Sequence, residues 1–282
     1  MEKLISTTPL EGLSLLLPIH NQATAVERGV SAWNNFLTQS RREFEIIVID
    51  DGSTDLTSGL FEDRDNKKGL RSRFPTLQVI THPTSKGYGA CLRSGLAVAR
   101  FPLLAYTSLD EPYNPADLKP LIQRLYEVDP DTGRSLDLVN GHRAGRAFPR
   151  WRRFLNHAGQ IAQRVALGMH PMPRHGYLGE SAHRYAFWLR WMFGLRLGDV
   201  NSCFKLFRKS IFDRIPIQSD GDFVHAEILA KANFLGCLMD ELPIGMKQNR
   251  STPPAAGRRR EMWRVFFSPD FGGVGVALRD AR

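Results

Sequence analysis

Two adjacent carboxylates, Asp50 and Asp51, close the run Phe44-Glu-Ile-Ile-Val-Ile-Asp50 and open the string Asp-Asp-Gly-Ser-Thr-Asp at residues 50–55. A β-branched, nearly all-apolar run suits a strand covered on both faces. Acids at the carboxyl end of such a strand stand where open α/β sheets bind ligands. There they can accept hydrogen bonds from a base or a ribose. Gly52 allows the turn, Ser53 or Thr54 can cap a following helix, and Asp55 stands near that helix's positive end. An ordinary capped turn explains the same residues, so the chemistry needs partners elsewhere. Three loop strings supply them: Leu17-Pro-Ile-His-Asn-Gln22, Ser85-Lys-Gly-Tyr-Gly-Ala90 and Ser108-Leu-Asp110. The last is followed by Asn114-Pro-Ala-Asp-Leu118, a helix start.

Positive charge is the second chemical resource, and it is unevenly placed. Residues 1–130 hold 14 Lys+Arg against 16 Asp+Glu, whereas residues 131–282 hold 24 against 13. The net charge of +9 is therefore a −2 half joined to a +11 half. Arg143, Arg146, Arg150, Arg152 and Arg153 form one run; Arg258, Arg259, Arg260 and Arg264 form another. Such density suits phosphate, an anionic membrane surface, nucleic acid or a solvated face. No nucleic-acid-binding motif accompanies the arginines, so nucleic acid is not an expected partner.

These residues need a frame, and the pattern of the chain describes one. Apolar runs at 13–17, 44–50, 77–80, 101–107 and 136–140 read as strands. Helical stretches at 22–38, 87–100 and 115–128 alternate with them, and Val26, Val30, Trp33 and Leu37 share one helix face. The polar segment up to Arg73 reads as an exposed helix. Alternation of this period means an α/β fold with a mostly parallel sheet and helices on both faces. Further on, 151–167 reads as a basic amphipathic helix, 203–207 and 237–246 as strands, and 223–234 and 258–267 as helices. A linker at 251–257 precedes the last.

Composition bounds the rest. With 42% hydrophobic and 24% charged residues in 282, wholesale disorder is excluded. No uninterrupted apolar stretch reaches membrane-spanning length, and residues 1–10 lack the apolar core of a signal peptide. Cys91, Cys203 and Cys237 are odd in number and far apart, which suits a reducing cytoplasm and buried small hydrophobes rather than disulfides.

Taken in order, the loop strings resemble the family 2 glycosyltransferases of the GT-A fold. There the corresponding strings read Pro-x-Tyr-Asn-Glu, Asp-Asp-Gly-Ser-x-Asp, a Gly-rich Asn-x-Gly-Tyr-Gly-like turn and an Asp-x-Asp metal motif. The second half is similar to the polyprenyl-phosphate branch of that family. Asn140-Gly-His-Arg143, then Arg152 with Asn156 one turn later, match its acceptor-phosphate segment. Asp199-Val-Asn-Ser-Cys-Phe-Lys-Leu-Phe-Arg208 matches its Asp-x-x-x-Gly-Phe-Lys-Leu-Phe-Arg run. Residues 222–227 with Glu241-Leu-Pro-Ile244 match its Phe-x-x-Glu helix and Glu-x-Pro-Ile strand.

The resemblance implies one GT-A domain over residues 1–250, with a nucleotide-sugar half at 12–130 and an acceptor half at 131–250. A basic-aromatic tail at 251–282 would lie on the membrane surface. Pro18, His20, Gln22, Ile49 and Asp51 would surround the nucleotide, with Lys86 beside them. Ser108, Leu109 and Asp110 would line the diphosphate, and Asp110 would hold Mg²⁺ or Mn²⁺. Arg143 would face the phosphates, while Arg152 and Asn156 would bind a polyprenyl phosphate at the inner face of the membrane. Asp110, Arg143 and Arg152 are thus the implied catalytic set. The sequence departs from the pattern at His20 for Tyr, Gln22 for Glu, Ser85 for Asn, Ser108 for the first Asp, Pro112 for Gln, Asn156 for Ser and Cys203 for Gly. A saccharide acceptor, and a non-catalytic nucleotide-sugar-binding protein of the same fold, stay open as alternatives.

Overall fold

The computed structural model describes residues 10–63, 68–109, 113–128, 133–144, 189, 191–195, 197, 199–245 and 258–272; of residues 143, 144, 258 and 259 it describes the backbone alone. Among them, seven strands form one sheet in the order β3-β2-β1-β4-β6-β5-β7. The strands are β1 (Leu13–Ile19), β2 (Phe44–Asp50), β3 (Leu77–Thr81), β4 (Leu103–Tyr106), β5 (Leu138–Ala144), β6 (Lys205–Arg208) and β7 (Met239–Gly245). β6 runs antiparallel to both β4 and β5, and the other neighbours are parallel. The carboxyl ends of β1, β2, β4, β5 and β7 therefore share one edge, where β6 begins.

The expected alternation holds, and helices cover both faces. α1 (Ala23–Gln39) and α4 (Leu118–Tyr126) bury Val26, Val30, Trp33, Leu37, Leu121 and Leu125 against Leu15, Val48, Ala105 and Leu206 of the sheet. On the other face lie α3 (Tyr88–Val98), α5 (Val224–Phe234) and α6 (Arg258–Phe267), against Leu16, Ile49, Leu104 and Phe207. α5 is buried from Val224 to Ala232, as expected of a helix lying inside a core rather than on it.

Pro18 does not end the first strand. Leu16 accepts from the Thr107 amide, and the next amide toward β4 in this register belongs to residue 18. β4 stops at Tyr106, so the missing proline donor falls where the ladder has already ended. The polar segment after Asp51 is not the expected exposed helix either. Its described residues hold one 3₁₀ turn, Ser58–Leu60, and the four-residue α2 (Leu70–Arg73), with Phe61 and Leu70 buried. Carboxylates capture the local amides instead. Asp50 accepts from the Ser53 N–H, Asp55 from Thr57 and Asp63 from Gly69, at 3.1, 2.9 and 2.7 Å.

Candidate functional site

Three loops at the carboxyl edge are locked together through Asp51. Its carboxylate accepts from the Lys86 N–H (2.9 and 3.0 Å), the Gly87 N–H (2.8 Å) and the Ser85 hydroxyl (2.8 Å), and lies 2.7 Å from His82 Nδ1. Burial alone would raise its pKa, but these hydrogen bonds outweigh it and hold the carboxyl at about 2. With its acceptor sites taken by the turn, Asp51 acts as a staple and not as a hand extended to a ligand. Asp50 is likewise engaged, by the hydroxyls of Ser53 and Ser58 at 2.5 Å each. Gly52 has φ +67°, and a Cβ there would lie 2.6 Å from the Thr84 carbonyl carbon. No other residue fits between these loops.

The loop after β1 is tied to the same frame. His20 Nδ1 lies 2.9 Å from the Asp51 carbonyl oxygen, and the Gln22 amide donates to the Thr57 hydroxyl at 2.9 Å. Between them Asn21 takes φ +51°, held there because its side-chain oxygen accepts from the Thr54 amide at 2.8 Å. Gln22 Oε1 is buried and has no hydrogen-bond partner among the described residues.

After β4, Ser108 is buried, and the Leu109 side chain packs over Gly29 of α1. Asp51, His82 and Cys91 also cluster closely enough to hold a cation. Their chemistry argues against one. Asp51 is saturated, His82 Nε2 is bonded to the Ser94 hydroxyl at 2.9 Å, and burial with the nearby Asp51 charge pushes the Cys91 thiol up, away from the thiolate a metal requires. This cluster is a hydrogen-bonded node of the fold.

Toward the other side of the edge a polar row crosses the sheet. Lys205 Nζ, wholly buried, donates to Asn140 Oδ1 at 2.5 Å and to the carbonyls of Val200 and Ser202 at 3.1 and 2.7 Å. Asn140 Nδ2 donates to Glu241 Oε1 at 2.8 Å and to the Asp199 carbonyl at 3.0 Å. The loop of residues 199–203 is thereby pinned from below. Two residues nearer the edge in this register stand Ser108, Cys203 and His142. His142 is buried.

A second loop, residues 216–221, is clamped against the glycine-rich turn. The Gly89 and Ala90 amides donate to the Asp220 carbonyl at 2.7 and 3.2 Å. Inside α5, Glu227 accepts from the amides of Gln218 and Ser219 and pairs with Lys231 at 2.8 Å, both side chains almost wholly buried. From α6, Glu261 accepts from the Asp220 and Gly221 amides at 2.9 Å each.

Of the residues expected at the site, Pro18, His20, Gln22, Lys86, Ser108 and Leu109 come together on this edge. Ile49 instead buries its side chain in the core, beside Gly95 of α3. Arg143 is paired by its backbone with Ile244 at the same edge, and its side chain lies outside the described residues. Asp110, Arg152 and Asn156 lie outside them altogether, as do the expected helix at 151–167 and the linker at 251–257. Sequence reasoning missed the staple on Asp51, the Lys205 row and the buried Glu227–Lys231 pair. It also missed a contact between Cys203 and His225. The departure of Cys203 from the glycine of the resembled motif was the available signal.

The sequence profile described as glycosyl transferase family 2 matches residues 14–215. The chain is 30% identical over 134 residues to dodecaprenyl-phosphate galacturonate synthase of Rhizobium johnstonii, covering 48% of this chain and 36% of that protein. It is 22% identical over 163 residues to undecaprenyl-phosphate 4-deoxy-4-formamido-L-arabinose transferase of Pseudomonas aeruginosa, covering 57% and 44%. The matched stretch thus spans less than half the length of these curated relatives. Among solved structures, glucosyl-3-phosphoglycerate synthase of Mycobacterium tuberculosis, crystallised with Mg²⁺ and UDP, superposes with a TM-score of 0.55 at 17% identity, covering 92% of this chain and 76% of that one. Mannosyl-3-phosphoglycerate synthase of Rubrobacter xylanophilus gives 0.57 at 16%, covering 91% and 71%.

Proposed function

The chain belongs to glycosyl transferase family 2, and from that premise we propose that it transfers a hexose from a nucleotide-diphosphate sugar to a polyprenyl phosphate at the cytoplasmic face of a membrane. The family makes it a glycosyltransferase; donor, acceptor and place of action are the proposal. The observation that carries the donor assignment is Gln22. Its buried Oε1 has no hydrogen-bond partner among the described residues, and it occupies the position where the resemblance sets the nucleotide base. An unpaired buried carbonyl costs about 1–3 kcal/mol, and a base N–H would relieve it. The acceptor assignment rests on relatives named for polyprenyl phosphates and on the +11 charge of the second half.

In this reading an acceptor phosphate oxygen attacks the anomeric carbon from the face opposite the leaving nucleoside diphosphate. One carbon–oxygen bond forms as the other breaks, with inversion. The acceptor is already anionic, so charge neutralisation and in-line placement suffice without a strong general base. Arg143 neutralises the donor diphosphate, and Arg152 with Asn156 holds the acceptor phosphate, a task suited to the guanidinium fork.

A Mg²⁺ or Mn²⁺ ion, when bound, adds positive charge at the leaving diphosphate. Among the described residues the end of β4 offers such an ion the Ser108 hydroxyl and no carboxylate; Asp110, which lies outside them, is the residue that the resemblance implies would hold it. Hard cations held mainly by substrate phosphates and water tolerate such a sparse set.

Support for the membrane comes from α6. Its Met262 and Val265 enter the core, while Trp263 and Phe267, 41% and 72% exposed, stack at 5.4 Å on the opposite side. Beside them in sequence are Arg258, Arg259, Arg260 and Arg264, a composition suited to an anionic lipid surface. No helix among the described residues is long and apolar enough to cross a membrane.

Thermal shift with a panel of nucleotide-diphosphate sugars, with and without Mg²⁺ or Mn²⁺, tests the donor. Turnover on a short-chain polyprenyl phosphate, a saccharide and a phosphoglycerate tests the acceptor. Arg152→Ala should raise the acceptor KM about tenfold or more and leave donor affinity unchanged. Equal loss of both refutes the division of labour, and transfer to phosphoglycerate alone refutes the acceptor.

A further inference from the structure

The three cysteines occupy very different surroundings. Cys91 is buried beside Asp51, and burial pushes its thiol up; burial also raises Cys237. Cys203 is half-buried, and its Sγ lies 3.6 Å from His225 Nε2. The other ring nitrogen, Nδ1, lies 3.0 Å from the Tyr106 hydroxyl. Tyr88 and Tyr106 flank the imidazole, with ring centroids at 4.7 and 5.6 Å. Sulfur, imidazole and phenol thus form a line beneath the carboxyl edge, with Cys203 at the register level of Ser108 and Tyr106 at that of Lys205.

The direction of the hydrogen bonds follows from Tyr106. It is wholly buried, and burial, with Cys203 nearby, holds its phenol protonated. Among the described residues its hydroxyl has one hydrogen-bond partner, His225. The O–H therefore donates to Nδ1, which leaves the proton of the neutral ring on Nε2, facing the sulfur. That N–H faces the Cys203 sulfur, whose thiol also lies 3.9 Å from the Asn201 carbonyl oxygen, so a thiolate formed there has a ring donor at hand.

We propose that Cys203, set up by His225 and Tyr106, is a modification site for hydroperoxides at the floor of the candidate site. The thiol proton goes to solvent, and the thiolate sulfur attacks one peroxide oxygen. The S–O bond forms as the O–O bond breaks, and the departing oxygen leaves as hydroxide or alkoxide and takes a proton from water. Sulfur is oxidised by two electrons to a sulfenic acid, and the peroxide is reduced to water or an alcohol. Thiol reductants return the cysteine.

The full chain is treated with limiting iodoacetamide at pH 7, and separately with hydrogen peroxide plus dimedone, and each cysteine is followed by peptide mass spectrometry. Cys203 is expected to alkylate about tenfold or more faster than Cys91 and Cys237 and to carry the dimedone adduct. Tyr106→Phe, which keeps the ring and removes the hydroxyl, and His225→Gln should each slow Cys203 severalfold while Cys91 stays protected. That protection reports that the variants are folded. The proposal is overturned if Cys203 reacts no faster than Cys237, if the adduct forms elsewhere, or if both folded variants react at the parent rate.

Discussion

Replacing Asp51 by Asn tests the staple that organises the carboxyl edge. The substitution keeps the shape of the side chain but puts an amide, itself a donor, among the donors of Ser85, Lys86, Gly87 and His82. The Asp51 side chain is 7% exposed, so solvent screens these bonds little. The fall in its pKa from 3.8 to about 2 corresponds to about 2 kcal/mol of stability at neutral pH. For a chain of this size that is roughly 4–8 °C in Tm.

Because the folded pKa lies below the unfolded one, this contribution is complete above the unfolded value. It is lost as the pH falls through the folded value. About half of it remains at pH 3. Urea unfolding of parent and Asp51→Asn proteins at pH 6, 4 and 3 should therefore show a gap of about 2 kcal/mol or more that narrows by about 1 kcal/mol at the lowest pH. A gap that stays flat across this range would refute the staple, because the folded carboxyl would then titrate at its ordinary value.

Two further substitutions probe the clamp on the glycine-rich turn. A Cβ at Gly89 would lie 2.0 Å from the Ser219 carbonyl oxygen, so Gly89→Ala should cost about 1–3 kcal/mol and lower donor affinity as the loop retreats; a urea midpoint equal to the parent's would count against that contact. Lys231→Met strips Glu227 of its buried counter-ion and should cost about 3–5 kcal/mol. Adding Glu227→Gln should recover part of that loss, and a double variant no more stable than the single one would show that the pair is not coupled.

Much of the frame was legible because its signals are local. Alternating apolar runs and amphipathic helices, with turn residues between them, put the strings at Leu17, Asp50, Ser85 and Ser108 at one edge of a parallel sheet. The polar stretch after Asp51 was misread because composition suits a helix there, whereas the short carboxylates of Asp50, Asp55 and Asp63 bond to their own neighbouring amides.

Local patterns in the chain already show which groups stand at the edge: His20, Gln22, Lys86, Ser108, and the basic second half. What each is free to do depends on packing between distant segments. Asp51 looked like a ligand-binding acid, but its partners include the backbone amides of Lys86 and Gly87, and a backbone amide is the same at nearly every residue. Glu227 and Lys231 are spaced as an ordinary surface pair, and burial of α5 on all sides turns them into an internal one. Cys203 and His225 carry no pattern between them at all. They meet because α5 packs over the start of β6, and a contact between distant segments leaves no periodicity in the chain that makes it.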